Sequence, residues 1–335
     1  MAMWPKTVQV AGLSLSPPVA LAPMVGLSHS ALRSLLLQRG GIGLLFTEML
    51  AARRLPHDNA LISPLLRTSD GERPLFYQLL VSSVEEVGPA VDKVHRLGGD
   101  GIDLNLGCPA PLVRRQGGGA ALVEDEERLR TILATLRKQT TLPLSVKIRL
   151  GPHGDVPALR RRCRFLVDEG VDLITIHARL DGEKFCRRPR WEVVGEVAPD
   201  LPVPVFVNGG IFSVDEARRS LQLSGAAGLM IGRGAVSRPE LCAAIADELY
   251  GWRSQVEPWR PEETYFRFYG LLEERFAPER RLGRLKQFTT YFAAPLPFGH
   301  GLASAVQASR TMAEARDRAQ NFFQKSTENA SHRED

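Results

Sequence analysis

Cys108 is the residue of this chain whose position most strongly suggests chemistry. It follows an apolar run, and Pro109 after it cannot continue a central strand, so the thiol stands where a buried strand ends. Arg114, Arg115 and three glycines at 117–119 come next, and glycine backbone can adopt φ > 0 and approach another group closely. Active sites on parallel sheets are often built this way. The residue types leave a second interpretation open, in which Cys108 is a small buried hydrophobic residue.

Polar, charged or glycine residues end eight apolar runs of the chain. In a barrel of parallel strands the chemistry lies at the carboxyl ends of the strands. Glycines after the last two strands let backbone N–H groups face a phosphate, to which Arg233 adds charge. Lys147 and His177 could be core residues, but a buried lysine without a partner is costly, so we expect an anionic partner near Lys147. Together with the glycines and the Gln78 amide, these two residues suit a planar, phosphorylated cofactor better than a metal. The strand-end residues are Ala22-Pro23-Met24, Glu48, Gln78, Asn105 with Cys108, Lys147 with Arg149, His177 with Arg179, Asn208-Gly209-Gly210 and Gly232-Arg233-Gly234.

The elements that must position these residues form a repeating pattern. Short runs rich in Val, Ile, Leu and Phe alternate with helix-like stretches, as is typical of parallel strands buried on both faces. Eight strand–helix units in residues 1–250 match an α/β fold of the (β/α)₈ TIM-barrel type, whereas a doubly wound sheet would more often have about five or six strands. The predicted strands cover 19–24, 43–49, 75–81, 101–106, 144–150, 173–177, 203–207 and 227–231.

The pattern changes after Tyr250. Prolines punctuate a short linker, and helices are predicted over 262–276, 282–292 and 302–323. A small helical domain over residues 251–325 is therefore predicted to follow the barrel. The polar tail at 326–335 is expected to be disordered.

Composition and charge argue against several classes of protein. The four cysteines lie far apart, without a Cys-x-x-Cys pair or a histidine at metal-ligand spacing, which argues against a disulfide framework or a structural zinc. No signal-peptide pattern and no run of ~18 apolar residues is present, so we expect a soluble, cytoplasmic protein. The net charge of +5 is mildly basic. Basic residues cluster at 160–164, 187–190 and 280–286, either as phosphate-binding patches or as solvated helix faces.

A set of short motifs together resembles the tRNA-dihydrouridine synthases. The asparagine–Gly-Cys-Pro element with its triple glycine is the most specific of them. The resemblance continues into the helical domain at RLKQF, residues 284–288, and it leans toward the C-type bacterial subgroup. The barrel motifs are APM at 22–24, TEM at 47–49, NLGCPAPLV and GGGAAL within 105–122, VKIRLG at 146–151, IHAR at 176–179, NGGI at 208–211 and MIGRGA at 230–235.

The resemblance implies a flavin enzyme that uses NADPH to reduce FMN and then reduces the C5–C6 bond of a uridine in the tRNA D-loop. It implies that Cys108 donates the proton to C5 while the flavin delivers hydride to C6. A free thiol, with a pKa of about 8.5, is a serviceable donor near neutral pH. The residues expected by this analogy to hold FMN are Pro23, Met24, Val25, Gly26, Gln78, Lys147, His177, Asn208, Gly209, Gly210, Gly232 and Arg233.

The same resemblance implies a tRNA partner, and we expect the protein to be a monomer. A uridine inside folded RNA must be extruded to reach a flavin in a barrel, as with other base-modifying enzymes. Lysine and arginine contacts to the RNA backbone then supply most of the affinity, and recognition by shape is expected. The residues expected on the substrate side are Asn105, Arg114, Arg115 and Arg179 near the pocket, and Arg281, Arg284 and Lys286 in the helical domain.

Two segments depart from the family pattern. Leu79 and the residues after it follow Gln78 where the family usually has a glycine. Leu180 replaces a threonine after the His-x-Arg element, and 184–185 stands near a usual Gln/Tyr element. These changes leave Cys108 intact, so they bear on the choice of uridine more than on the reaction.

Three other functions remain open. A flavin barrel could act on a free pyrimidine such as dihydroorotate or dihydropyrimidine, although the basic helical domain argues against it. An RNA-binding barrel without turnover is disfavoured by the intact Cys108, Lys147 and His177. A non-flavin, phosphate-binding aldolase or isomerase could use Lys147 as a Schiff base, and bound flavin would dismiss that function.

Overall fold

The strands form one nearly closed parallel barrel. A computed structural model describes residues 4–252 and 259–331. Barrel strands are neighbours in chain order, and a bridge between Ala20 and Leu44 joins the first to the second, which confirms the predicted fold. The second strand is divided into β4 and β5, which both pair with β6. The strands are β1 (Val8–Val10), β2 (Leu13–Leu15), β3 (Val19–Leu21), β4 (Leu45–Phe46), β5 (Leu50–Ala51), β6 (Leu75–Leu80), β7 (Gly101–Asn105), β8 (Leu144–Arg149), β9 (Leu173–His177), β10 (Val205–Asn208) and β11 (Gly228–Ile231).

Helices alternate with the barrel strands and pack against their outward-facing side chains. Ser213 is an N-cap, because its hydroxyl accepts a hydrogen bond from the N–H of Glu216. The helices are α1 (Ser30–Leu37), α2 (Val87–Arg96), α3 (Pro111–Arg115), α4 (Glu126–Gln139), α5 (Val156–Asp168), α6 (Trp191–Gly195), α7 (Val214–Ser224), α8 (Arg233–Ser237), α9 (Leu241–Tyr250), α10 (Pro261–Arg275), α11 (Arg281–Phe292), α12 (Gly299–Ala308) and α13 (Met312–Ser331).

An apolar floor fills the lower part of the barrel interior. Inward-facing side chains such as Phe46, Phe76 and Phe206 form one buried cluster with the antiparallel hairpin β1–β2. Glycine begins both β7 and β11 for a steric reason: a Cβ on Gly101 would meet the ring of Phe76, and one on Gly228 would lie 2.5 Å from that of Phe206. The floor confines the polar residues of the interior to the carboxyl end of the barrel.

A buried charged cluster fixes α10 against the barrel. Arg33 on α1 and Glu72 form an ion pair of 2.7 Å, and neither side chain is more than 1% exposed. Arg275 of α10 donates hydrogen bonds to the hydroxyls of Ser30 and Ser34 on α1. The apolar core continues from the barrel into α10–α13. The division into domains at residues 250 and 251 stays a prediction.

The single helix predicted over 302–323 was wrong, because the structure has α12 and α13 there. The Thr311 hydroxyl accepts a hydrogen bond from the N–H of Glu314 at 3.1 Å, and the Glu314 carboxylate accepts one from the N–H of Arg310 at 2.8 Å. This reciprocal arrangement resembles a capping box and gives α13 a start of its own. The Thr-x-x-Glu spacing was the signal that could have found it.

The last helix extends further than the sequence predicted. α13 continues to Ser331, beyond the predicted domain end at residue 325. Residues 332–335 of the tail, and 253–258 of the linker, lie outside the described residues. Among the described helices, none is long and apolar enough to cross a membrane.

Candidate active site

A cavity of about 320 Å³ opens at the carboxyl ends of the barrel strands, and its size lies within the range of small-molecule sites. Two of the predicted substrate residues, Asn105 and Arg179, line it. Gly26 lies in the loop of Val25 without lining the cavity itself. The cavity brings together the predicted catalytic residue Cys108 with the predicted cofactor residues Pro23, Met24, Val25, Gln78, Lys147, His177, Asn208, Gly209, Gly210, Gly232 and Arg233.

Cys108 is held from both sides of its loop. The side-chain oxygen of Asn105, the last residue of β7, accepts hydrogen bonds from the backbone N–H of Gly107 at 3.3 Å and of Cys108 at 3.0 Å. On the other side, the N–H of Ala120 donates to the Cys108 carbonyl at 3.1 Å. Gly119 has a φ of +57°, and a Cβ there would lie 2.7 Å from that carbonyl oxygen. The glycines were expected to let the backbone approach another group closely. At Gly119 that group is the backbone of Cys108.

Lys147, Arg149, Arg179 and Arg233 make the cavity electropositive. Among its lining residues that the structure describes, there is no aspartate or glutamate. Burial, and then the positive charge of Arg149, lower the pKa of Lys147 to about 8, while the nearby Asp103 opposes the shift. A concave site with this charge favours an anionic ligand.

His177 provides a neutral side chain in the cavity wall. Burial, and then the positive charges of Lys147 and three arginines, lowers its pKa well below the usual value. Its Nε2 lies 3.0 Å from a guanidinium nitrogen of Arg179, which can only donate a hydrogen bond. The neutral imidazole therefore accepts at Nε2 and carries its proton on Nδ1.

The glycines after β10 shape one end of the cavity. Gly209 and Gly210 have φ values of +109° and +73°, and a Cβ on Gly209 would lie 2.6 Å from the His177 ring. The same Cβ would lie 3.0 Å from the Arg179 guanidinium, and Arg233, which follows β11, lines the same cavity. Backbone without side chains next to a guanidinium is the arrangement that the predicted phosphate site requires.

Phe185, in the segment that departs from the family pattern, also lines the cavity. Its ring stacks on that of His177 with centroids 5.8 Å apart, and the Arg233 guanidinium lies 4.6 Å from the ring centre. Its carbonyl accepts a hydrogen bond from Arg179 at 3.1 Å. The loop after β9 therefore presents a half-exposed aromatic ring at the mouth of the site.

Helix α11 supplies another part of the wall through Gln287 and Tyr291. The Gln287 amide donates a hydrogen bond to the carbonyl of Val25 at 2.9 Å. Gly26, with a φ of +77°, leaves no room for a side chain beside Gln287, and its N–H donates to Glu48 at 2.6 Å. The sequence prediction missed Gln287 although RLKQF contains it, because only the charged residues of that motif were predicted to make contacts.

The basic residues predicted to contact tRNA from α11 have different surroundings. The Arg281 guanidinium donates to the backbone carbonyls of Phe276 and Glu273. That of Arg284 lies 4.4 Å from the ring centre of Phe276 and donates to the backbone carbonyl of Arg280, just before α11. Lys286 is half-buried. Arg281 and Arg284 are thus engaged within the protein, and RNA contacts by any of the three stay a prediction.

Arg114 and Arg115 lie on α3, close to Cys108 along the chain. Arg114 pairs with Glu124 at 2.9 Å, and Arg115 is exposed. Neither lines the cavity, so their predicted role would be outside it. In the part of the chain that the structure describes, no group of three or more His, Cys, Asp or Glu residues is placed to hold a metal ion.

Solved structures of other proteins share the fold. A variant of NCR from Zymomonas mobilis aligns with a TM-score of 0.52 at 14% identity, over 74% of this chain and 92% of that chain. 2-Naphthoyl-CoA reductase in complex with 2-naphthoyl-CoA aligns with a TM-score of 0.55 at 12% identity, over 72% of this chain and 52% of that chain. At such identities the likeness concerns the fold alone.

Sequence comparison reaches further than the fold. A protein of Aquipseudomonas alcaligenes named tRNA-dihydrouridine(16) synthase is 34% identical over 299 residues, covering 86% of this chain and 94% of that protein. A protein of the same name from Pseudomonas putida is 35% identical over 290 residues, covering 83% and 89%. The family model for dihydrouridine synthase (Dus) matches residues 20–328. The chain therefore belongs to the dihydrouridine synthase family.

Proposed function

We propose that this protein is a tRNA-dihydrouridine synthase that reduces the C5–C6 double bond of the uridine at position 16 in the tRNA D-loop, with FMN as cofactor and NADPH as reductant. The observation that carries the proposal is Cys108 in the wall of an electropositive cavity at the strand ends of the barrel. Position 16 is supported by the names of the Aquipseudomonas and Pseudomonas relatives. A tRNA substrate places the proposed activity in the cytoplasm.

The cavity residues fit a phosphorylated flavin. Gly209, Gly210 and Arg233 would hold the phosphate, because bare backbone and a guanidinium suit an anion. Lys147 and the neutral His177 would contact the ring system, whose reduced form carries negative charge. When bound, reduced FMN supplies the hydride that adds to C6 of the uridine.

Cys108 would supply the second hydrogen as a proton to C5. Hydride and proton together saturate the C5–C6 bond, NADPH becomes NADP⁺, and the thiolate regains its proton from water. Lys147 and Arg149 lie close enough to interact electrostatically with Cys108. The backbone hydrogen bonds on both sides of Cys108 fix its loop and would hold the sulfur in place for the base.

The tRNA would approach across the mouth of the cavity. The extruded uracil must pass Phe185, whose half-exposed ring offers a face for stacking. Arg115 and Lys286 would contribute contacts to the RNA backbone. Arg281 and Arg284 would act mainly by shaping the surface, since both are engaged within the protein.

Nucleoside mass spectrometry tests this function. Unmodified tRNA incubated with the purified protein, FMN and NADPH is expected to gain two hydrogens at one uridine, and fragment mapping is expected to place it at position 16. The matched control is the same tRNA with cytidine at that position. A gain elsewhere would overturn the position alone. No gain in tRNA by a flavin-loaded protein, with turnover of uracil or dihydroorotate, would establish the free-pyrimidine alternative.

A further inference from the structure

Asp103 is a carboxylate buried inside the barrel beneath the cavity. It lies on β7 with no exposed surface, flanked by Gln78 of β6 and Ser145 of β8. The Gln78 amide nitrogen donates to one carboxylate oxygen at 2.6 Å, and the Ser145 hydroxyl donates to the other at 2.5 Å. Burial raises the pKa of Asp103 to about 6, against the two hydrogen bonds and Lys147, which lower it. Near neutral pH the group is therefore ionised and accepts hydrogen bonds only.

This carboxylate fixes the direction of a chain of hydrogen bonds that ends at Cys108. Because Asp103 accepts, the Gln78 amide must present its NH₂ to it and its oxygen to Asn105. The Asn105 amide nitrogen donates to that oxygen at 2.9 Å. The side-chain oxygen of Asn105 is thereby turned toward the N–H groups of Gly107 and Cys108, at 3.3 and 3.0 Å.

Reversal of either amide would leave groups of the same kind facing each other. A flipped Asn105 would point its NH₂ at the two backbone N–H donors of the cysteine loop. A flipped Gln78 would point its oxygen at the Asp103 carboxylate. Buried polar groups left without partners are costly, so one acceptor at the base of the chain selects a single orientation for both amides.

We propose that Asp103 is a positioning residue that orients the Cys108 loop through Gln78 and Asn105. The proposal rests on the proposed function only in that Cys108 acts there as proton donor; the orientation of the loop does not depend on it. Gln78 and Asn105 also line the cavity, so the same carboxylate determines which hydrogen-bonding groups they present to a ligand. A second possible role for Asp103 is to supply negative charge near Lys147.

The direction of the hydrogen bonds can be tested by reversing it. Asn105→Asp places an acceptor against the Gln78 oxygen, so at pH 8 the chain cannot be completed in either direction. Adding Asp103→Asn supplies an amide at position 103 that donates to a flipped Gln78. The flipped Gln78 then donates to the new carboxylate at position 105, which still accepts from the Cys108 loop. The double variant therefore restores both hydrogen bonds of Gln78 in the opposite direction and keeps those from the cysteine loop. If Asp103 had only a structural role, adding Asp103→Asn would not be expected to restore the activity lost in Asn105→Asp.

Two substitutions at Asp103 separate direction from charge. Asp103→Asn alone removes the charge but keeps the direction, because the Ser145 hydroxyl can rotate and accept from the new amide. Asp103→Leu removes both. Thr175→Val is the matched control for loss of a polar atom in the barrel interior, since Thr175 is fully buried and its hydroxyl has no hydrogen-bond partner among the described residues.

Two measurements on folded protein report how each variant changes the position of Cys108. The first is dihydrouridine formation at saturating FMN, which we expect to fall about 100-fold in Asp103→Leu and Asn105→Asp, since small misplacements of a reacting group cost that much. The second is alkylation of Cys108 by iodoacetamide in the protein alone, with the exposed Cys186 as internal reference. We expect it to accelerate severalfold in the same two variants, because the loop is released.

The double variant is expected to recover severalfold over Asn105→Asp in both measurements, and Asp103→Asn is expected to stay close to wild type. The proposal would be overturned if the double variant were no more active than Asn105→Asp. It would also be overturned if Asp103→Asn were as impaired as Asp103→Leu, because the negative charge of Asp103 would then be what matters. If Asp103→Leu does not fold, the comparison of Asn105→Asp with the double variant still tests the proposal. If no dihydrouridine forms even with wild type, the proposed function fails while Cys108 alkylation still decides the positioning role.

Discussion

The amide nitrogen of Gln287 on α11 lies 2.9 Å from the carbonyl oxygen of Val25, although 262 residues separate them in the chain. This bond joins the last third of the protein to the loop after the first barrel strand. The same loop is bonded from the other side, where the N–H of Gly26 donates to Glu48. A helix outside the barrel therefore helps to set the shape of the candidate cofactor site.

Gln287→Ala is expected to weaken FMN binding about fivefold, because one hydrogen bond worth about 1 kcal/mol no longer holds the Val25 carbonyl. Fluorescence titration of the apoprotein with FMN measures it. The matched control is Gln307→Ala, which removes an amide that donates to the Lys286 carbonyl and the Thr290 hydroxyl on the same helix. Equal affinity in wild type and Gln287→Ala would show that α11 does not shape the site.

Cys108→Ala is expected to retain FMN and NADPH oxidation while dihydrouridine formation falls by about 10²-fold or more, because only the proton donor is removed. Single-turnover assays with tRNA and the reduced enzyme measure the step. Cys186→Ala serves as control, since it removes an exposed thiol in the loop after β9. Unchanged product formation by Cys108→Ala would remove this residue from the proposed role.

Gly119→Ala is expected to displace Cys108, because the added methyl group would lie 2.7 Å from the Cys108 carbonyl oxygen. The rate of dihydrouridine formation should fall by about tenfold or more. Gly12→Ala shares a positive φ, +83°, but has no atom within 4 Å of the added Cβ. Both variants should lose some stability, and only Gly119→Ala should lose turnover. Equal turnover in the two would contradict this role of the glycine loop.

Glu72→Gln is expected to lower the free energy of unfolding by about 3–5 kcal/mol, because it leaves the Arg33 guanidinium buried without its counter-charge. Chemical denaturation monitored by circular dichroism measures the change. Glu124→Gln is the control, since it breaks the exposed pair with Arg114 and should cost about 1 kcal/mol or less. A loss as small as that of the control would mean that the Arg33–Glu72 pair contributes little to docking α10 on the barrel.

Asp103 should make stability depend on pH in a direction opposite to that of a salt-bridged carboxylate. Burial raises its pKa from 3.8 to about 6, so between these values the folded chain holds a proton that the unfolded chain releases. This group therefore costs stability as the pH rises, by about 2 kcal/mol between pH 4 and pH 7. Asp103→Asn lacks the effect, so urea denaturation should show the variant gaining on wild type over that range. Parallel pH curves for the two proteins would contradict the shift.

Much of the architecture followed from the sequence. Buried parallel strands need continuous apolar runs, and each run that ended in a polar or glycine residue marked both a strand and a position on the catalytic face. Cys108, Lys147 and His177 were identified in this way and do line one cavity. These features are local, because a strand end and its residue types are adjacent in the chain. Family membership followed from the same short motifs.

Only the tertiary structure decided which groups touch. The Gln287–Val25 bond joins distant segments, and no pattern along the chain records the register that brings them together. Arg281 has the composition of an RNA contact, yet its guanidinium bonds backbone carbonyls. Asp103 reads as one polar residue in an apolar strand, and its partners Gln78 and Ser145 become visible only when three strands are aligned. Burial and hydrogen-bond direction are set only in the assembled barrel, because they depend on neighbouring residues that are far apart in the sequence.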